Sequence, residues 1–225
     1  MTVNHSVECT RSAALVARYP AMRFTAVTAK DVDPGAFGKQ VRAFAERTVK
    51  SLSAENESRR MNLIEFEGFF KANEQKFPLT RQIASAASRG FPPVPSPVLA
   101  LLALEAATGI LMGVQNLDAI DGFITLDCLE STESFIGMRG ERVTCDRGQI
   151  VVRDKQSIVA SLFRGPDKRT AVQPNGRNLL FYVFDTDTGL GESHDRAVQE
   201  VTRLFPPDVG AATVLTAKSR QPRQG

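Results

Sequence analysis

Apolar and polar positions change their period part-way along the chain, and that change predicts the architecture. "RFTAVTAKDV", Arg23 to Val32, alternates apolar and β-branched residues and closes on "DPG", which predicts a strand ending in a turn and the start of the fold. From Pro34 to Lys50, Phe37, Val41, Phe44, Ala45 and Val49 recur at near-helical spacing with basic residues between them, the pattern of an amphipathic helix. "SAENESRR" is polar and reads as a loop, after which Leu63, Phe66, Phe69 and Phe70 mark the apolar side of a second helix. Pro78 and Thr80 can start a short helix that Gly90 ends, and Pro92, Pro93, Pro95 and Pro97 predict a stiff extended connector. Val98 to Gly109, "VLALLALEAATG", is apolar almost all round and stops at a glycine, so it is expected to be a buried central helix. Its one charged residue, Glu105, must reach water, pair with a cation, or face a pocket.

After Gly122 the period shortens. "FITLDCL", "ERVTC", "QIVVRD", "SIVASLF" and "NLLFYVFD" alternate or run apolar between turn-forming segments, and predict strands. Ala197, Val198, Val201 and Leu204 then lie on one face of a last helix stopped by Pro206 and Pro207. Helices first, sheet second and one helix returning make an α+β fold, with the helical N-terminal half packed on a mixed or antiparallel sheet. A single domain is expected over 21–210, between an N-terminal extension, 1–20, and a basic flexible tail, 211–225.

Composition narrows the chemistry. A chain of 225 residues with 42% hydrophobic and 24% charged residues is ordinary for a globular protein. No run is apolar and long enough for a membrane span or a signal peptide, so a cytoplasmic protein without membrane contact is expected. Cys9, Cys128 and Cys145 are odd in number and widely spaced, which suits reduced structural thiols. The only histidines are His5 near the start and His194 in what reads as a polar loop, so a His-based triad or His-rich metal site is hard to build. The net charge of +3 resides in Lys218, Arg220 and Arg223, leaving a neutral body. That tail is either a phosphate-seeking arm or a solubilising end.

Three constellations remain. "MGVQNLDAIDG", Met112 to Gly122, places Asn116, Asp118 and Asp121 before a strand, but it lacks the spacing of a calcium loop. Turn chemistry, with Asn116 and Asp118 bonded to nearby backbone, is the competing reading. "LFRGPDKRTAVQPNGRN", Leu162 to Asn178, carries Arg164, Lys168, Arg169 and Arg177 and is either a phosphate clamp or a solvated loop. Glu105 with Arg164 or Arg169 is a candidate buried ion pair joining the two halves. Glycine-rich nucleotide loops, "HExxH" and "GxSxG" are absent, and no cofactor or metal is expected.

"FPPVPSPVLALLALEAATGILMGVQNLDAIDGFITLDCLESTESF" together with "GQIVVRDKQSIVASLFRGPDKRTAVQPNGRNLLFYV" resembles the B3/B4 domain of the phenylalanyl-tRNA synthetase beta subunit, and more closely the free-standing proteins built from that domain. Shared elements are the proline-marked lead-in at Pro95 or Pro97, Gly109, "NLDAIDG", Asp154, Arg169 with Thr170, and Asn178 before a strand. The resemblance, over roughly 77–184, implies a B3/B4-like fold and tRNA or aminoacyl-tRNA as partner. In the synthetase the domain hydrolyses tyrosine wrongly attached to the phenylalanine tRNA. It therefore implies a stand-alone editing protein that cleaves the ester of a mischarged tRNA, an aminoacyl-tRNA deacylase. Catalysis would fall to Glu105 and Gly113, Glu105 orienting water or the substrate ammonium and backbone amides near Gly113 serving the oxyanion. Arg164, Lys168, Arg169, Thr170 and Asn178 would hold the aminoacyl-adenosine end. The chain departs from the synthetase pattern at Gly113, where a histidine is usual, near Leu102, where an asparagine falls, and near Lys168, where a glutamate falls. Two other functions compete: a non-catalytic binder of tRNA or an aminoacyl end with a degenerate editing site, and a reused pocket for an amino-acid-like metabolite.

Overall fold

A computed structural model describes residues 7–219, so His5, Arg220 and Arg223 lie outside the described residues. The chain runs through β1 (Glu8–Arg11), α1 (Ala13–Arg18), β2 (Thr25–Lys30), α2 (Pro34–Ser51), α3 (Glu57–Ala72), α4 (Leu79–Arg89) and α5 (Ser96–Thr108). It continues through β3 (Met112–Asn116), a 3-10 turn (Leu117–Ala119), β4 (Phe123–Cys128), β5 (Glu133–Ile136), β6 (Arg142–Cys145), β7 (Ile150–Arg153), β8 (Ile158–Ser161) and β9 (Gly165–Pro166). β10 (Leu179–Val183), α6 (Glu192–Arg203), β11 (Ala211–Thr216) and β12 (Lys218–Ser219) complete it.

These elements form an α+β fold around two sheets. One is mixed, in the order β12-β1-β4-β7-β8-β9, with β1 parallel to both its neighbours and the other pairs antiparallel. The other is antiparallel throughout, in the order β11-β2-β10-β3. β5 and β6 make a separate hairpin. The central strands of the second sheet, β2 and β10, are buried along nearly their whole length, which is why "LLFYV" is a continuous apolar run rather than an alternating one. Residues from both sheets and from α2, α3, α5 and α6 share one hydrophobic core.

Local chemistry sets the helix ends. Asp33 accepts the Ala36 N–H, and Pro34 supplies a first turn that needs no donor, so α2 starts where the "DPG" turn was expected. α5 is stopped by Gly109 in the left-handed conformation at φ 72°, with the Arg59 carbonyl so close that a Cβ would lie 2.7 Å from it. Only glycine fits there on both counts.

Several expectations need correction. The fold does not begin at Arg23: β1 lies between β12 and β4, and α1 packs on β4, so 8–18 belong to the body rather than to an extension. Residues 211–219 are not a free tail, because β11 pairs along its full length with β2 and β12 pairs with β1. Helices do not precede the sheet as a block, since β2 is an interior strand. "SAENESRR" is only partly loop: Asn56 caps α3 by accepting the Arg59 N–H, and the polar residues after it form the first helical turn.

Candidate functional site

The motifs singled out from the sequence converge at one end of β3. Asn116 accepts the Asp118 N–H and so caps the 3-10 turn, as the turn-chemistry reading expected. Asp118 accepts from the Asn178 amide at 2.8 Å, and Asn178 in turn accepts the Asp31 N–H. Asp121 contributes its backbone, donating to Asp154 Oδ2 at 3.0 Å.

Asp154 and Arg169 hold this end together. The Asp154 side chain is fully buried and accepts from the N–H groups of Asp121, Gln156 and Ser157 and from Arg169 Nη2 at 2.9 Å. Arg169 also donates to the Ala119 carbonyl at 2.8 Å. The guanidinium fork thereby ties the 3-10 turn to the turn after β7. Arg169 is thus spent on Asp154 and lies near Asp167, and among the described residues neither it nor Arg164 forms an ion pair with Glu105. The candidate bridge between the halves does not form among the described residues, where Asp154 takes Arg169. Arg164 and Lys168 are exposed, and their main-chain N–H groups donate to Ser161 Oγ and the Ile136 carbonyl.

Next to this scaffold lies a buried polar chain. Alternation along β3 puts Gly113 and Gln115 on one face. The Gln115 amide donates to the Tyr182 hydroxyl at 3.1 Å and accepts from the Thr170 hydroxyl at 3.0 Å, and Thr170 also contacts Asp167. A threonine hydroxyl carries one proton, so it cannot donate to both Gln115 and Asp167. Two arrangements relieve the conflict at Thr170. Asp167 can keep its proton and donate to Thr170; alternatively, Asp167 is ionised, the Gln115 amide is flipped and Tyr182 donates to it. Burial raises the Asp167 carboxyl and the Tyr182 hydroxyl above their ordinary ranges.

Glu105 and Gly113 meet this network from the helix and the strand. Glu105 is buried in α5 and accepts the Met112 N–H at 3.0 Å. Burial pushes its carboxyl up to about 8, so at neutral pH it keeps its proton and has no charge to offer an ammonium. Gly113 lies opposite Tyr182 in the β3–β10 ladder. Phe184 N–H donates to the Leu111 carbonyl, while the N–H groups of Met112 and Asn116 go to Glu105 and Thr170 outside the ladder. In antiparallel alternation this assigns the Gly113 amide to Tyr182 rather than to an open oxyanion site. The ring of Tyr182 covers the glycine so closely that a Cβ would fall 2.2 Å from it.

Sequence reading missed Gln115, Asp167 and Tyr182 as a unit. The period-2 pattern of "MGVQN" was the available signal, obscured because the segment read as a turn. It also misplaced His194, which lies in α6 and is fully buried. His194 Nε2 is 3.0 Å from Thr25 Oγ1, and its Nδ1 is 3.7 Å from Asp185 Oδ2, while Asp185 accepts the Thr186 and Leu190 N–H groups.

Neither a family model nor a curated protein matches the chain. Among solved structures it is similar to an N-terminal fragment of the phenylalanyl-tRNA synthetase beta subunit from Pyrococcus horikoshii, with 10% identity and a TM-score of 0.45 over 96% of this chain and 52% of that one. The chain spans about half the length of that fragment, and a likeness this remote assigns no function.

Proposed function

We propose that this chain is a tRNA-binding protein of the B3/B4 type whose editing site no longer turns over substrate. The observation that carries this reading is the Tyr182 ring seated over Gly113, the position that the motif resemblance would give to an aminoacyl pocket. Two further features support it: the Gly113 amide is engaged in the β3–β10 ladder, and Glu105 is neutral at physiological pH and bonded to Met112. Partner chemistry is suggested by the motif resemblance and by Arg164 and Lys168, exposed cations on the loop that Arg169 and Thr170 anchor. Phosphate contacts from such cations release counterions, so binding must weaken with salt.

Gel shifts with unfractionated tRNA over a salt series, together with a panel of mischarged tRNAs, test the proposal. Salt-sensitive binding is expected, with the slope of log Kd against log salt reduced by about one for each of Arg164→Ala and Lys168→Ala. No ester loss above buffer is expected for any charged tRNA. Binding weaker than about 100 μM at physiological salt would overturn the tRNA assignment. Measurable deacylation abolished by Glu105→Ala would instead restore the hydrolase reading.

A further inference from the structure

In α4 the apolar residues withdrawn from solvent, Leu79, Ile83 and Ala86, recur at helical spacing, while Arg81 and Arg89 stay exposed. The helix packs chiefly on α5 and α2. Leu52, Ala86 and Ala106 form a small hydrophobic cluster there, separate from the main core, with Ile83 and Phe91 against it only partly buried. Between α4 and α5 this packing leaves a cavity of about 640 Å³.

The lining of the cavity divides by chemistry. Its apolar part includes Phe77, Ile83, Phe91, Leu102 and Ala106. Lys76, Arg81 and Arg89 contribute exposed cations, and no acidic side chain lines it. None of the three cations forms an ion pair with an acid among the described residues; Arg89 donates to Ser85 Oγ. Glu67 accepts the Thr80 hydroxyl, and Glu46 lines the adjacent recess of about 410 Å³ rather than this cavity. A concave apolar site of this size with a few charged groups of one sign is how proteins bind small molecules.

We propose that the α4–α5 cavity binds a small amphiphilic anion, with a hydrocarbon or aromatic body on the Ile83, Phe91 and Leu102 surface and a carboxylate or phosphate head at Arg81 and Arg89. Burying the body removes apolar area from water, and the head gains charge-assisted hydrogen bonds. This site shares no residue with the Arg164 and Lys168 surface, and it stands or falls independently of tRNA binding.

Fluorescence titration of the whole chain with anilinonaphthalene sulfonate, itself an aromatic anion, provides the probe. Saturable binding is expected, displaced by dodecanoate or dodecyl phosphate and not by dodecyltrimethylammonium; the stronger of the two competing anions identifies the head group. Arg81→Glu combined with Arg89→Glu should weaken the probe tenfold or more while leaving the thermal unfolding transition cooperative. Ala106→Trp should abolish binding by filling the cavity; should that variant fail to fold, the surface charge reversal decides. Equal displacement by the cationic amphiphile, undiminished binding in the charge-reversed variant, or displacement by tRNA would overturn the assignment.

Discussion

Glu105→Gln should stabilise the protein, and by an amount that depends on pH. In the unfolded chain the Glu105 carboxyl loses its proton near 4.5, whereas burial in α5 holds it protonated up to about 8. The folded value lies above the unfolded one, so the contribution of the protonated carboxyl is fully present below pH 4.5 and is lost as the pH rises towards 8. At pH 7 the chain has crossed two and a half units of that window at about 1.4 kcal/mol each, a cost of about 3 kcal/mol. Glutamine is neutral throughout and keeps an oxygen to accept the Met112 N–H. Urea denaturation of both proteins at several values between pH 4 and pH 9 provides the assay. The variant should match the native chain at pH 4, exceed it by about 3 kcal/mol at pH 7, and level off above pH 8 at about 5 kcal/mol. Taking the difference removes every other titrating group. A difference independent of pH, or a variant less stable at pH 7, would refute the claim that Glu105 is buried with its proton.

Gly113→Ala should cost about 3 kcal/mol or more, because the added methyl meets the Tyr182 ring, and Tyr182→Ala alone should cost about 3–5 kcal/mol. The double variant should cost less than the sum in urea denaturation; strict additivity would show that the two do not touch. Arg169→Ala leaves the fully buried Asp154 carboxylate without its cation and should cost about 3 kcal/mol in urea denaturation. His194 follows the opposite sign to Glu105. Burial first, and then the nearby Arg23, lower it to about 4, so its contribution is lost as the pH falls from 6.5 towards 4. His194→Gln should flatten the acid side of the stability curve, and an unchanged acid limb would disprove it. All three cysteines are buried and their thiols raised, Cys9 to about 12, so a thiol reagent should label the native chain at the rate of its unfolding.

α2 to α6 and the strands β4, β6, β7, β8 and β10 were legible because they depend on local period and capping: Pro34 and Gly109 mark helix ends in the sequence as they do in the fold. Strand partners were not. β1 is short and β11 weakly patterned, and their membership in sheets follows from neighbours more than a hundred residues away in sequence. The same distinction holds at the candidate site. Asn116 was readable as a turn residue because its bond to the Asp118 N–H is local, whereas the pairings of Asp118 with Asn178 and of Arg169 with Asp154 reach across the chain and had no local signal. The role of Gln115 was not legible because its partners, Thr170 and Tyr182, come from two distant segments.

The position of β2 also governs how the chain reaches its native state. Thr25 pairs with Val183 on one side and Thr216 on the other, so both edges of this apolar strand wait for segments made far later. Until β10 and β11 emerge, α2 to α5 can gather by local contacts while β2 presents two open rows of backbone donors and acceptors. Folding should therefore be limited by closure of the β11-β2-β10-β3 sheet rather than by helix formation, and a chain halted before residue 179 would expose an unpaired strand prone to association.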